Sequence, residues 1–145
     1  MSNSSYIKLV KASTTTQVTL DDVKSKMVHY IEMTTKTGKQ LDWGYSDAAF
    51  PYTIVEKPEG KGQWFYLKGK DQNLYKYIVI GVGSETLSTE EGEEEQFFIQ
   101  VVLPEGATHG DKGKANEFCK YLAKEYKAEL HLFNGRVMYY YPRKP

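Results

Sequence analysis

Two apolar segments, residues 77–82 and 97–103, constrain the fold of this chain most strongly. Their sequences, YIVIGV and FFIQVVL, are nearly continuously apolar instead of alternating between apolar and polar residues. A strand with this pattern has both of its faces removed from water and lies in the interior of a sheet. The sequence therefore predicts two central strands, and it requires that something cover each face of the sheet around them.

Two other segments have helical periodicity. Residues 20–38 follow Thr19, a good N-cap residue, and carry apolar side chains at helical spacing. The second helix is predicted over residues 111–126, with one apolar stripe formed by Ala115, Phe118, Cys119, Leu122 and Tyr126. Each helix has a single stripe and therefore buries one side only.

Further strand signals occur before, between and after these helices, at residues 6–10, 52–56, 64–68, 74–82, 97–103 and on either side of Asn134-Gly135. The predicted order is β-α-β-β-β-β-α-β-β. Short connections favour antiparallel neighbours, so the sequence predicts an α+β fold: a mainly antiparallel sheet of about six to seven strands with two helices packed on one face. A length of 145 residues predicts a single domain over residues 1–145.

The C-terminal hairpin predicts an apolar surface. A two-residue type I′ turn at Asn134-Gly135 pairs Leu132 with Val137. In this register one face of the hairpin belongs to the core, and the other carries His131, Phe133, Met138 and Tyr140. Such an aromatic sheet face requires a cover. A homodimer across it and coverage by the aromatic loop at residues 43–50 both remain open.

Charge is balanced overall but unevenly distributed. The chain has 19 basic and 19 acidic residues, which leaves no net field to attract nucleic acid or an anionic membrane. Six glutamates lie within residues 84–96, without a lysine or arginine among them. Because unpaired glutamates are costly to bury, we expect residues 84–96 to be an acidic exposed loop.

Several classes of protein are disfavoured. No apolar stretch approaches the roughly 20 residues of a membrane span, and the N-terminus lacks a signal-peptide core. The single cysteine, Cys119, suits a reducing compartment, so we expect a cytoplasmic protein without membrane partners. The three histidines lie on separate predicted elements, and neither a metal site nor a cofactor is predicted.

The turn before the second helix is the best candidate ligand site. In PEGATHGDKGK, residues 104–114, glycines allow close approach of the backbone and the helix presents unpaired N–H groups to an anion. The spacing matches neither the phosphate-binding loop of nucleoside triphosphatases nor the dinucleotide fingerprint. We predict a small anionic ligand at Thr108, His109, Gly110, Asp111 and Lys112. The competing and favoured interpretation is that Thr108 or Asp111 simply caps the helix.

Three functions follow from these features. The absence of a catalytic motif favours a noncatalytic binding or regulatory module, and no catalytic residues are assigned. The first alternative is a small enzyme that acts on a phosphorylated or carboxylated metabolite through His109, Asp111 and Lys112. The second is a single-strand RNA-binding protein that uses Trp64, Tyr66, Tyr75 and Tyr77, although the neutral net charge argues against nucleic acid.

Segments along most of the chain, namely QLDWGYSDAAFPY, YLKGKD, LPEGATHGDKGKANEFCKYLAKE and HLFNGRVMYYYPRK, resemble a small family of uncharacterised proteins from Bacillus-type bacteria. The resemblance implies a cytoplasmic bacterial protein with a domain of unknown function. It brings no activity, cofactor or catalytic residue to this chain.

Overall fold

The computed structural model describes residues 3–41, 50–56 and 63–141. Its elements, in chain order, are β1 (Ser4–Lys8), α1 (Leu20–Leu41), β2 (Tyr52–Val55), β3 (Trp64–Gly69), β4 (Tyr77–Thr89), β5 (Gly92–Val102), α2 (His109–Tyr126), β6 (Glu129–His131) and β7 (Val137–Tyr139). The predicted α+β class and the predicted order of elements are confirmed.

All seven strands belong to one antiparallel sheet with the order β2-β3-β4-β5-β1-β6-β7. The two segments that were predicted to be central, in β4 and β5, are neighbours in the interior of the sheet. Both edge strands are short, with four residues in β2 and three in β7. Short edges limit the pairing of the sheet with other strands.

Both helices pack on the same face of the sheet, as predicted. Fully buried side chains from the sheet, such as Phe65 and Ile99, form one cluster with Val23 of α1 and Phe118 of α2. The two helices also contact each other, since the Tyr121 hydroxyl donates a hydrogen bond to the Lys26 carbonyl at 2.8 Å. The hydrophobic core therefore lies between the helices and one side of the sheet.

The second face of the sheet is covered by neither helix. Strand register places on this side the residues Tyr6, Trp64, Tyr66, Tyr77, Val79, Gly81, Phe98, Gln100 and Val102. We call this surface the open face. The continuous apolar pattern of β4 and β5 predicted cover on both sides, whereas within the described residues the helices supply it on one side.

Residues 84–96 were predicted to be a loop, and this prediction is wrong. The segment is largely exposed, but it forms the outer ends of β4 and β5, which pair from Ser84 with Phe97 to Thr89 with Gly92. Backbone pairing buries none of the glutamate charges, so solvated side chains and a paired ribbon are compatible. Two ion pairs, between the partly buried Lys8 and Glu85 and between Lys11 and Glu94, link this ribbon to the rest of the chain.

The predicted register of the C-terminal hairpin is also wrong, by one residue. Gly135 N–H donates to the Leu132 carbonyl at 2.9 Å, and Leu132 N–H donates to the Arg136 carbonyl at 2.8 Å. The loop therefore has three residues, 133–135, and Gly135 takes a φ of 85° that suits the glycine of such a loop. Leu130 consequently pairs with Met138 instead of Tyr139.

This slip reverses the faces of β7, because the side-chain period of a strand is two. Met138 and Tyr140 pack against the core, and Phe133 is buried. Tyr139 is instead 44% exposed. The aromatic face predicted from His131, Phe133, Met138 and Tyr140 thus does not exist as one surface. The self-association that it suggested stays a prediction and requires a different surface.

Most of the aromatic loop at residues 43–50, the alternative cover for that face, lies outside the described residues. Its last residue, Phe50, is buried on the helix side of the sheet. The Phe50 ring lies 5.4 Å from that of Phe118, measured between centroids.

Candidate functional site

The predicted anion-binding turn is closed by its own residues. Thr108 is the N-cap of α2, and its hydroxyl accepts a hydrogen bond from Asp111 N–H at 3.0 Å. In return, Asp111 Oδ2 accepts a hydrogen bond from Thr108 N–H at 3.0 Å. This reciprocal capping box satisfies two backbone donors at the helix N-terminus. The competing prediction, in which these residues cap the helix, is confirmed.

The Asp111 carboxylate also connects distant parts of the chain. It is fully buried and accepts hydrogen bonds from the Tyr52 hydroxyl at 2.6 Å and from Lys76 N–H at 3.0 Å. Burial, together with the hydrogen bond to Asp111, raises the pKa of Tyr52 well above its usual range. Asp111 therefore places its own negative charge at the positive end of α2, where an external anion would otherwise lie.

The other residues of the predicted site are arranged around this carboxylate. His109 and Lys112 are exposed, and the Thr108 hydroxyl donates to the Leu74 carbonyl at 2.6 Å. A side chain at Gly110 would approach that carbonyl oxygen to 2.7 Å, so glycine is required by the packing. A groove of about 430 Å³ lies beside the turn and is lined by Asn3, Thr108 and Lys112, among others. Anion binding in this groove stays a prediction.

The residues proposed for acid–base chemistry are in different surroundings. His109 is exposed, whereas the Asp111 carboxylate is buried among three donors from the protein itself. A general base needs to reach the proton that it removes from a substrate. In this structure Asp111 is committed to internal hydrogen bonds.

The four aromatic residues proposed for RNA binding do not form one surface. Trp64, Tyr66 and Tyr77 lie on the open face, with the rings of Tyr66 and Tyr77 5.6 Å apart. Tyr75 lies at the opposite side of the sheet, where its ring is 5.5 Å from that of Tyr52. The structure thus brings three of the four residues together.

Two hollows on the open face are lined in part by Trp64 and Val79. The larger has a volume of about 350 Å³ and is lined by Trp64 together with Gln63, Val79, Gly81, Val82, Gln100 and Val102. The smaller, of about 230 Å³, is lined by Trp64, Tyr66, Tyr77, Val79 and Pro104. Gly81 pairs directly with Trp64 and has no side chain to fill the space beside the indole. The absence of a side chain at Gly81 thus helps to create the larger hollow.

The centre of the open face is apolar, and its charges lie at the margins. Among the described residues, the lining of the two hollows contains no lysine, arginine, aspartate or glutamate. Lys68, on β3, is exposed. At the opposite margin, on β6, His131 Nε2 lies 2.7 Å from Glu129 Oε1, and the Tyr141 hydroxyl donates to Glu129 Oε2 at 2.9 Å.

Comparison with known proteins places this chain in a family. Residues 3–142 match the model of a domain of unknown function, DUF1885. The chain belongs to the DUF1885 family. It is also similar to a protein of unknown function from Bacillus stearothermophilus whose crystal structure is known. The two sequences are 46% identical, and the two structures align with a TM-score of 0.56. The match covers 90% of this chain and 94% of the other. No curated protein matches the chain significantly.

These matches confirm the resemblance inferred from the sequence motifs. The DUF1885 description assigns no activity, so functional inference for this family member depends on its own described residues. Among them, no group of three or more His, Cys, Asp or Glu side chains is arranged to hold a metal ion. Neither helix, over the residues that the structure describes, has the length and apolarity to cross a membrane.

Sequence reasoning did not identify Val79, Gln100 and Val102 as parts of a site. Two signals pointed to the surface that they share: the continuous apolar pattern of the two central strands, and the aromatic residues Trp64, Tyr66 and Tyr77 of the RNA-binding alternative. The DUF1885 family description does not supply that surface either, because it names no functional residues.

Cys119 provides a test of the core of this DUF1885 protein. The side chain is fully buried on the apolar stripe of α2, as predicted, and burial raises the pKa of the thiol to about 12. Because the thiolate is the reactive form, we expect no reaction with Ellman's reagent at pH 8 while the chain is folded. One thiol per chain should react in denaturant. Rapid labelling of the folded protein would contradict the buried position.

Proposed function

We propose that this protein is a noncatalytic binding module of the bacterial cytoplasm, which binds another protein through the open face. The observation that carries the proposal is the contiguous apolar surface around Trp64, on a side of the sheet that neither helix covers. Exposed apolar patches of this kind, surrounded by polar residues, are typical of interaction sites.

The composition of the central strands supports this proposal. On the open face, Val79 of β4 pairs with Val102 of β5, and both are only partly buried. Tyr77, next along this face of β4, is 39% exposed. Burial of apolar surface contributes roughly 25 cal/mol per Å², so covering these side chains would stabilise a complex. A surface position that serves only to keep the protein in solution does not need an apolar side chain.

The chemistry of the face favours a protein over nucleic acid. Binding to nucleic acid depends mainly on lysine and arginine contacts with phosphates, and the residues that the structure describes around the two hollows include neither. The cores of protein interfaces are instead enriched in aromatic side chains and depleted in charge. The position of Tyr75 on the opposite side of the sheet further weakens the RNA-binding alternative.

The apolar open face is the size of the centre of a protein interface. Its residues lie on four neighbouring strands, β3, β4, β5 and β1. These strands span about 14 Å at a spacing of about 4.8 Å, and five residues along a strand extend about 17 Å. A standard interface buries about 800 Å² of accessible surface per partner, with an apolar centre and a polar rim. The open face would therefore form the centre of the interface, and the polar residues around it would form the rim.

Selection from a random peptide library, with the purified chain as bait at low concentration, tests the proposal. We expect enrichment of apolar and aromatic peptides whose affinity falls at least about tenfold in Val79→Lys, because a charge would enter the centre of the face. Val28→Lys is the matched control, since Val28 is 39% exposed on α1, away from the open face.

Two results would overturn the proposal. One is selected peptides that bind the wild-type chain and Val79→Lys equally well. The other is a failure of peptide selection together with Val79-dependent binding of single-stranded RNA, which would instead support the RNA-binding alternative. Thermal unfolding of both variants shows whether each lysine is tolerated by the fold.

A further inference from the structure

We infer that the outer part of β5 binds an extended, basic segment of another protein, which adds one antiparallel strand beside residues 92–97. The segment would lie in a cleft between β5 and residues 9–17. The inference goes beyond the proposed function, because this cleft shares no lining residue with the two hollows of the open face. It is carried by the backbone of β5, by the shape of the cleft and by its charge.

The outer part of β5 has a free edge. β1 pairs with β5 from Phe98 to Val102, and one further backbone hydrogen bond, of 3.0 Å, joins Leu9 N–H to the Phe97 carbonyl. Backbone groups alternate in direction along an antiparallel strand, so those of Glu93 and Glu95 point to the same side as the Phe97 carbonyl. Within the described residues, the N–H and C=O groups of Glu93 and Glu95 have no hydrogen-bond partner. A peptide that adds a strand to a sheet pairs with such a row of groups.

A cleft lies beside this edge. Its volume is about 530 Å³, within the range of pockets that hold ligands. The side chains of Glu94 and Glu95 both line it, although neighbouring side chains of a strand lie on opposite faces of a sheet. The cleft therefore opens at the edge of β5 and not on one face. Its opposite wall is formed by Leu9, Val10, Lys11, Thr16 and Gln17.

The cleft continues the line of β1. After Leu9 the chain turns away from β5, since Ser13 N–H donates to the Val10 carbonyl at 2.9 Å and Val10 N–H donates to the Ser13 hydroxyl at 2.9 Å. The turn is fixed to the end of α2, where the Ser13 hydroxyl donates to the Lys127 carbonyl at 3.0 Å. β5 continues past this point to Gly92. An added strand would therefore take the place that β1 leaves, between walls that are already formed.

Charge selects the partner. Residues 84–96 carry six glutamates and no lysine or arginine, and the ion pairs to Lys8 and Lys11 add two positive charges, so six minus two leaves four negative charges. Directly opposite residues of two strands stabilise the pair when their charges differ and destabilise it when their charges are alike. Lysine or arginine at alternate positions would face Glu93 and Glu95. A second copy of this edge, or a nucleic acid, would instead bring negative charge to the glutamates.

Fluorescence anisotropy with the labelled peptide KTKVKTK, in 0.15 M salt, tests the inference. We expect saturable binding whose dissociation constant rises at least about tenfold in Glu95→Lys, because like charges would then face each other. Glu90→Lys is the matched control, since Glu90 is exposed in the turn between β4 and β5. This variant has the same net charge, but its substitution lies farther from the cleft and is screened, so we expect a change below about threefold.

Modified peptides separate strand addition from simple attraction between charges. In an antiparallel pair, the residues opposite Glu93 and Glu95 direct their own N–H groups to β5. N-methylation of the lysines keeps every charge but removes these donors, so we expect binding to be lost. N-methylation of the threonines and the valine changes groups that point away from β5, so binding should be retained.

Three results would overturn the inference. The first is no binding of the peptide at millimolar concentration. The second is binding that survives N-methylation of the lysines or that is weakened equally by Glu95→Lys and Glu90→Lys, because the glutamates would then attract the peptide without strand pairing. The third is loss of binding in Val79→Lys, which would place the peptide on the open face. Thermal unfolding checks that each variant folds, and failure of the open-face selection leaves this test unaffected.

Discussion

Replacing Asp111 by alanine is expected to lower the free energy of unfolding by about 3–5 kcal/mol, because it leaves several buried donors without an acceptor. The Tyr52 hydroxyl, Lys76 N–H and Thr108 N–H all donate to this one carboxylate. Each unsatisfied buried donor costs about 1–3 kcal/mol, and the costs are not additive within one network. The substitution also removes one half of the capping box.

Urea unfolding followed by circular dichroism measures this effect. Tyr52→Phe is the matched partial variant, since it removes one donor and leaves the carboxylate in place; we expect it to cost about 1–2 kcal/mol. Asp71→Ala serves as an external control, because Asp71 is an exposed turn residue whose side chain accepts one hydrogen bond, from Asn73 N–H at 3.0 Å. A cost for Asp111→Ala no greater than that of Asp71→Ala would contradict the structural role of the buried carboxylate.

This experiment bears on the predicted anion site as well. If the Asp111 carboxylate is the anion that α2 requires, then Asp111→Ala leaves a vacancy at the helix N-terminus that phosphate could fill. Stabilisation of Asp111→Ala by phosphate, without stabilisation of the wild-type chain, would show that the turn binds its own side chain in place of a ligand. Stabilisation of both by mass action would favour a separate site in the groove beside Lys112.

Removal of the Phe118 ring should destabilise the chain by about 3–5 kcal/mol, whereas removal of the Phe98 ring should cost only about 1–2 kcal/mol. Phe118 is fully buried on the helix side of the sheet, where Tyr30, Phe50 and Tyr52 surround it with their rings. Phe98 lies on the open face, partly exposed, and its ring covers Gly83 and contacts Tyr6.

The pair Phe118→Ala and Phe98→Ala changes the same atoms on opposite sides of one sheet. Urea unfolding at low chain concentration gives the cost in the monomer. An equal loss of stability in the two variants would show that the open face is covered within the monomer, and the proposed interface would then be wrong. A larger cost for Phe98→Ala at high concentration than at low concentration would instead indicate that the face is buried by association.

The sequence predicted most of the elements because each carries a local signal. Thr19 and Asp22 form the start of α1 by reciprocal hydrogen bonds of 3.0 and 3.2 Å, and Val23 and Met27, two of its apolar residues at helical spacing, are fully buried. The second helix begins at His109, two residues before the predicted start, because the cap is Thr108 with Asp111 inside the first turn. Such signals depend on neighbouring residues and can be recognised without the fold.

The two errors have a common physical cause. A hairpin loop of two or three residues around Asn134-Gly135 satisfies the same local turn preferences, but the choice decides which side chains of β7 reach the core. Leu130 and Met138 share one side of the hairpin because α2 and the sheet bury that side. The ribbon at residues 84–96 likewise depends on backbone pairing between β4 and β5. The glutamate charges, from which a loop was predicted, give no information on that pairing.

The candidate site was less predictable than the fold. The sequence by itself determined the α+β class, the order of elements, the capping of α2 and the apolar character of β4 and β5, since each depends on propensity and periodicity along the chain. Only the tertiary structure decided that Asp111 is buried against Tyr52, that Tyr75 is separated from Trp64, and that the open face forms around Trp64, Gly81 and Gln100. These residues are distant in sequence, and strand order and register alone bring them together or apart.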